Sequence, residues 1–340
     1  MDIIFNCLNS GLGNNGGSRT IVRSANTLKK LGHNVVILNP SRKRKKLDQI
    51  NNKTAYTWDE IEVPVMSEGW GYLKADVIIA TAFASVKTTI EAPDNCGMKV
   101  HWLRGWETWR HDEEWIKENV LDQPTFKIVN SICLQDKLKE FNVESKLIRP
   151  GYDFDELKPL NMRQNKKGIT IGGLFNKGDK RKTKRTEWIF EVVNKLKKDL
   201  NVTLVMFGGE GAPLANKPFD LFKSNPSDKI KNQFYNSIDI WLAPTENDSL
   251  HLPPAEAMQT ECCVVGTDTP MNGMKDYLIG MKTGIISTNT ITEFETNIRF
   301  LIDNPDLRIE LGKAGREKIL SLGTREENMN KLINTLEDNI

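Results

Sequence analysis

Two carboxylates, Asp248 and Glu256, bracket the stretch Ser249-Leu250-His251-Leu252-Pro253-Pro254. An apolar strand-like run, Ile238 to Leu242, ends just before them. Pro253-Pro254 suits the opening of a helix, where a missing N–H costs nothing. Glu256 is therefore expected in the first helical turn and Asp248 in the preceding loop. The backbone N–H groups of Ser249, Leu250, His251 and Leu252 are expected to point outward. A fixed carboxylate accepts hydrogen bonds from both hydroxyls of a ribose diol. A loop acid and free amides hold sugar hydroxyls, and a helix N-terminus favours diphosphate charge. Together they suit a sugar nucleotide. The plainer alternative is that Glu256 only favours the start of its helix.

A second stretch with chemistry is Gly11-Leu-Gly13-Asn-Asn-Gly16-Gly17-Ser18-Arg-Thr, directly after the apolar Ile3 to Leu8. Gly11, Gly13 and Gly16 spell the glycine spacing of a dinucleotide site. Such a site also wants an acid at the end of the second strand. Here that strand ends Leu38-Asn39-Pro40, followed by Ser41 and the basic run Arg42 to Lys46. The missing acid weakens a nicotinamide site, although basic residues there suit a 2′-phosphate. The glycines can equally serve only a tight turn. A third cluster, Lys177 to Arg185, precedes a helical pattern and offers cations for phosphate.

These residues need strand–helix alternation to position them. Ile3–Leu8 reads as a strand, Ser18 as the cap of a helix with Ile21, Val22, Ala25, Leu28 and Leu31 on one face, and Gly32 as its stop. Val35–Leu38, Val77–Ala80, Val100–Leu103, Ile128–Val129 and Leu147–Ile148 are further strands. The polar stretch Asn161 to Lys167 reads as a linker. The pattern restarts at Ile169–Gly172, with a helix from Thr186 to Leu200, strands at Val202–Phe207, Ile238–Leu242, Cys263–Val265 and Ile285–Ile286, and helices to the end. The fold class is α/β with two doubly wound parallel sheets facing a cleft. Residues 1–158, joined by the helix 324–340, form the first domain, and 167–323 the second.

At 340 residues the chain can bury two cores. Its 39% hydrophobic and 27% charged content is that of a globular protein, not a disordered one. A net charge of +2 gives no global field for nucleic acid. Cysteines 7, 96, 133, 262 and 263 form no C-x-x-C and no metal-ligand spacing, which fits reduced cytosolic thiols. No signal peptide and no membrane span are expected. The run at 42–46 leaves peripheral contact with anionic lipid open.

The stretch Asp248 to Met258 resembles the paired-acid signature of the retaining glycosyltransferases of GT-B architecture, in particular the GT4 family (glycosyl transferases group 1). The usual form is Glu, Gly-Phe-Gly-Leu-Pro-Pro, one residue, then Glu-Ala-Met. Pro253, Pro254, Glu256, Ala257 and Met258 match. Asp248 replaces the first Glu, and Ser249-Leu250-His251 replace Gly-Phe-Gly. The resemblance covers nearly the whole chain, through the stretches 16–38, 147–159, 206–214, 233–245 and 300–319. Arg149 and Tyr152 depart from its interdomain motif.

That resemblance implies sugar transfer from a nucleotide sugar, UDP- or GDP-linked, to a glycan or lipid-linked acceptor. It implies retention of configuration, no metal and no other cofactor. Catalytic candidates are Asp248, Glu256, Lys184, Arg181, Glu107 and Arg104. Lys184 matches the family lysine, whereas Gly173 stands where the family arginine is usual; Arg181 or Arg185 is the candidate replacement. Donor-binding candidates are Gly16, Gly17, Ser18, Gly209, Ser249, Leu250, His251 and Leu252. Trp102, Trp106 and Trp109 are either buried aromatics or sugar-stacking ones. A sugar-nucleotide epimerase and a non-catalytic binding protein on the same scaffold are the alternatives.

Overall fold

The computed structural model describes residues 1–13, 15–40, 59–68, 70–163, 167–176, 183–209 and 218–340. The chain divides into two compact units, Met1–Tyr152 with Thr324–Ile340, and Asp153–Gly323.

The first unit runs β1 (Asp2–Asn6), α1 (Gly16–Lys30), β2 (Asn34–Leu38), β3 (Val65–Met66), β4 (Val77–Ala80), α2 (Phe83–Ile90), β5 (Met98–Leu103), α3 (Glu113–Ile116), β6 (Phe126–Val129), α4 (Ile132–Glu140) and β7 (Lys146–Leu147). A π-turn, Lys117–Leu121, follows α3. The sheet order is β3-β2-β1-β4-β5-β6-β7, with every pair parallel. Strands covered on both faces read as unbroken apolar runs, and Val77-Ile78-Ile79-Ala80 is fully buried. The strand order reverses between β1 and β4, so the loops after these strands flank the reversal.

The helix α1 starts earlier than the sequence suggests. Asn15, not Ser18, is its cap, and the Asn15 side chain accepts from the Ser18 N–H at 2.8 Å. Ser18 lies buried inside the first turn, its hydroxyl accepting from the Gly13 N–H at 2.9 Å. Asparagine caps as well as serine, and the earlier start adds Gly16 and Gly17 to the first turn. Gly32 ends the helix with φ +91°, a left-handed residue that glycine adopts without steric cost.

The second unit runs β8 (Ile169–Phe175), α5 (Thr186–Leu196), β9 (Val202–Gly208), β10 (Leu221–Ser224), α6 (Asp228–Asn236), β11 (Ile240–Ala243), α7 (Leu252–Gln259), β12 (Cys263–Thr267), β13 (Ile285–Ser287), α8 (Ile291–Asp303) and α9 (Pro305–Leu320). Its parallel order is β10-β9-β8-β11-β12-β13. The reversal lies between β8 and β11, so the loops that follow them bracket this unit's switch point. Ile171, Val193, Leu204, Leu242, Val265 and Phe294 are buried in its core.

The last helix, α10 (Arg325–Glu337), returns to the first unit. Its Met329, Leu332, Ile333 and Leu336 join the core of Ile3, Phe5, Val22 and Leu28. At the crossing, a Cβ on Gly151 would stand 2.4 Å from the Arg325 Cα, so only glycine fits.

Candidate active site

The second unit brings Lys184 and Asp248 together from the two loops at its reversal. The Lys184 ammonium pairs directly with Asp248 Oδ2. The other carboxylate oxygen accepts from the N–H groups of Leu250 at 3.2 Å and His251 at 3.0 Å. Two of the four amides expected to face outward are thus taken up by the loop's own carboxylate. An aspartate is short enough to fold back on the amides two and three residues ahead. Burial opposes charge on Asp248, but Lys184 and the amide donors hold its carboxyl far below the usual carboxylate range.

The backbone of Asp248 is fixed too. Its N–H donates to Met271 O at 2.9 Å, and its carbonyl accepts from Gly273 N at 2.7 Å. The neighbouring turn is knitted in by the Glu246 N–H on Thr183 O at 2.8 Å and the Arg185–Glu246 ion pair at 3.2 Å. Arg185 also covers the Trp188 ring at 4.6 Å.

His251 caps α7 with φ +48°, a conformation that costs a non-glycine residue about 1 kcal/mol. Its Nε2 lies 3.0 Å from Thr245 Oγ1, and its carbonyl accepts from the Tyr277 hydroxyl at 2.7 Å. The side chain is buried, and burial pushes its pKa down to about 3 despite nearby Asp248. Its imidazole is therefore neutral and braces the loop; it is not an exposed lining residue. Ser249 is also buried, whereas Leu250 and Leu252 are half-buried.

Glu256 lies one residue beyond the first turn of α7, because the helix begins at Leu252 instead of at the prolines. The Tyr235 hydroxyl donates to its Oε2 at 2.8 Å, and Lys231 Nζ stands 3.6 Å from its Oε1. Both partners come from α6. Nothing in the sequence pattern marked them, since Tyr235 sits among ordinary core aromatics. Gly209 is exposed at the end of β9, where a hypothetical Cβ would meet Asn225 Oδ1 at 4.0 Å. At Gly173 a Cβ would meet Ile189 Cδ1 at 2.8 Å, so a larger residue there requires the Ile189 side chain to shift. Arg181 and the run 42–46 lie outside the described residues.

In the first unit, Arg104 and Glu107 hold neighbouring loops and helix starts. Arg104 donates to Gly17 O at 2.5 Å, Thr20 Oγ1 at 3.0 Å and Thr81 O at 3.2 Å. Burial pushes its pKa down to about 10, and it stays cationic at neutral pH. Glu107 accepts from the Phe83 N–H at 3.1 Å, at the start of α2, and burial raises its pKa. Gly16 and Gly17 form the first two residues of α1, with Gly17 exposed. Trp102 and Trp106 are buried, while Trp109 is half exposed.

Two doubly wound parallel sheets of this order make up the architecture called GT-B. Residues 167–304 match the family described as glycosyl transferases group 1, so the second unit carries that family's domain. The fold is similar to sucrose-phosphate synthase from Thermosynechococcus elongatus, at 13% identity and a TM-score of 0.75 over 99% of each chain. It is similar to Anabaena HepE in complex with UDP and glucose, at 14% identity and 0.75, covering 99% of this chain and 100% of that one. A glycosyltransferase from Rickettsia africae aligns at 15% identity and 0.71 over 99% and 98%. Identities this low establish likeness of fold. No curated protein matches the chain in sequence. No helix among the described residues is long and apolar enough to cross a membrane.

Proposed function

We propose that the chain is a retaining, metal-independent glycosyltransferase that moves a sugar from a UDP- or GDP-linked donor to a glycan or lipid-linked acceptor. Surface polysaccharide or glycoconjugate synthesis is the fitting context. The observation that carries this reading is the Lys184–Asp248 pair, on the two loops at the second unit's reversal, with Glu256 on the helix that follows. Anabaena HepE, which shares the fold, has been captured with UDP-glucose, and this supports the donor class.

In this mechanism the acceptor oxygen bonds to the anomeric carbon on the face that the leaving diphosphate vacates. The bond from that carbon to the phosphate oxygen breaks. The acceptor proton passes to the departing phosphate, so no separate base is needed. Lys184 and backbone amides neutralise the growing diphosphate charge, and Glu256 holds the ribose diol. No cofactor beyond the nucleotide sugar takes part.

The test is release of nucleoside diphosphate from a panel of nucleotide sugars with candidate acceptors, with and without a chelator. Expected are turnover with one donor class, an unchanged rate in chelator, and a product of retained configuration by NMR. No turnover and no binding with any nucleotide sugar would sink the proposal.

A further inference from the structure

Lys184 is paired before any ligand arrives, and its partner is fixed. Asp248 Oδ1 holds two amides. The Asp248 backbone is bridged to the Met271–Gly273 segment through both its N–H and its carbonyl. The turn that follows is locked by His251, through Thr245 on its ring and Tyr277 on its carbonyl. The flexible member of the pair is the lysine, on a four-carbon stem. An incoming diphosphate therefore meets a cation already neutralised by a carboxylate that cannot swing away.

We propose that Asp248 is a built-in competitor for Lys184 that weakens the hold on the nucleoside diphosphate and speeds its release after transfer. The inference rests on the nucleotide-sugar reading of the same loops. Lys184 reaches the diphosphate only by sharing or surrendering Asp248. Once the sugar has left, the carboxylate reclaims the ammonium and the product departs. Asp248 on this account touches no reacting atom; it acts through Lys184. Recognition of a sugar hydroxyl by Asp248 would give a different pattern, because free nucleoside diphosphate carries no sugar at that place.

The experiment is titration of the whole chain with UDP and with GDP, for wild type and Asp248→Asn. The asparagine retains an oxygen for the two amides and removes the charge. With one charge of competition gone at a partly exposed pair, affinity for the preferred diphosphate should rise about tenfold. In the transfer assay the product-inhibition constant should fall by a similar factor, with kcat falling and KM not rising. A merely structural role would weaken binding and raise KM. Asp248→Ser, which also frees Lys184, repeats the test if Asp248→Asn is unstable. Unchanged or weaker diphosphate binding in a folded variant overturns the competitor role and leaves the nucleotide-sugar reading standing. A wild-type chain that binds neither diphosphate overturns both.

Discussion

The guanidinium of Arg104 at the end of β5 donates to the carbonyl oxygen of Gly17 at 2.5 Å, joining the β5 loop to the head of α1. The same side chain holds Thr81 O beyond β4. One residue thus ties together three loops at the carboxyl end of the first unit's sheet. It donates to two backbone carbonyls and to the Thr20 hydroxyl beside Gly17, so its role is to position the glycine segment.

Arg104→Gln should therefore lower both stability and turnover. Loss of these charged hydrogen bonds is expected to destabilise the first unit by about 3 kcal/mol. Arg104→Lys keeps the charge but cannot make the fork of contacts, so it should recover only part of the loss. Differential scanning calorimetry and steady-state assays check this. A lysine variant with wild-type melting and wild-type turnover would show that geometry at this position is unimportant.

Gly17 gives a separate prediction. A Cβ there would stand 3.2 Å from Asn15 Oδ1 and 3.6 Å from Arg104 Nη2. Alanine needs a shift of a few tenths of an ångström, whereas valine pushes on the cap of α1 and on the Arg104 clamp. Gly17→Val should reduce transfer at least tenfold, about 1.4 kcal/mol on the barrier. Because Lys184 and Glu256 belong to the other unit, binding of free nucleoside diphosphate should stay within twofold, an expectation set by the near-additivity of independent sites. Equal losses in binding and transfer would contradict this division of labour.

Glu256 and Tyr235 can be separated by truncation. Glu256→Gln removes the charge and should weaken nucleotide binding and turnover strongly, by about 100-fold in kcat/KM, or about 2.7 kcal/mol. Tyr235→Phe removes only the hydroxyl that donates at 2.8 Å and should cost about 1 kcal/mol, near fivefold. Isothermal titration and kinetics decide between them. A tyrosine variant as damaged as Glu256→Gln would mean that the hydroxyl itself is essential.

Much of the parallel-sheet pattern was legible because its strands are short, apolar and regularly separated by helical stretches. Val77–Ala80 needed no tertiary information. The edge strands β3 and β10 were not legible: Val65–Met66 has two residues, and Leu221–Ser224 is largely exposed, so neither carries an apolar run. Local chemistry misled at α1, where Asn15 and Ser18 are both good caps and only the packed structure selects one. In the candidate site, residue types suggested anion and hydroxyl binding, but the pairing of Lys184 with Asp248 spans two loops and depends on strand order. Likewise, the hold of Tyr235 and Lys231 on Glu256 is a contact between helices that no local spacing encodes.

His101 tests how buried histidines set the acid limit of this fold. It is fully buried on β5 beside Lys127 of β6, edge-on to Phe83, and both ring nitrogens lack a hydrogen-bond partner among the described residues. Burial, with Lys127 and Arg104 nearby, pushes its pKa down to about 3. His251 is held at about 3 in the second unit, by burial first. For each, the unfolded chain binds a proton near the ordinary histidine pKa while the folded chain refuses it. Stability is therefore complete above about pH 6.5 and declines as pH falls toward 3, by about 1.4 kcal/mol per unit for each histidine. Asp248 acts in the same direction lower down, since its depressed carboxyl pKa gives stability that is lost as pH falls through it. His101→Met fills similar volume without a titrating group. It should raise the melting temperature of the first unit clearly at pH 5 and much less at pH 7.5. Equal shifts at the two pH values would mean that packing, not proton exclusion, governs this position.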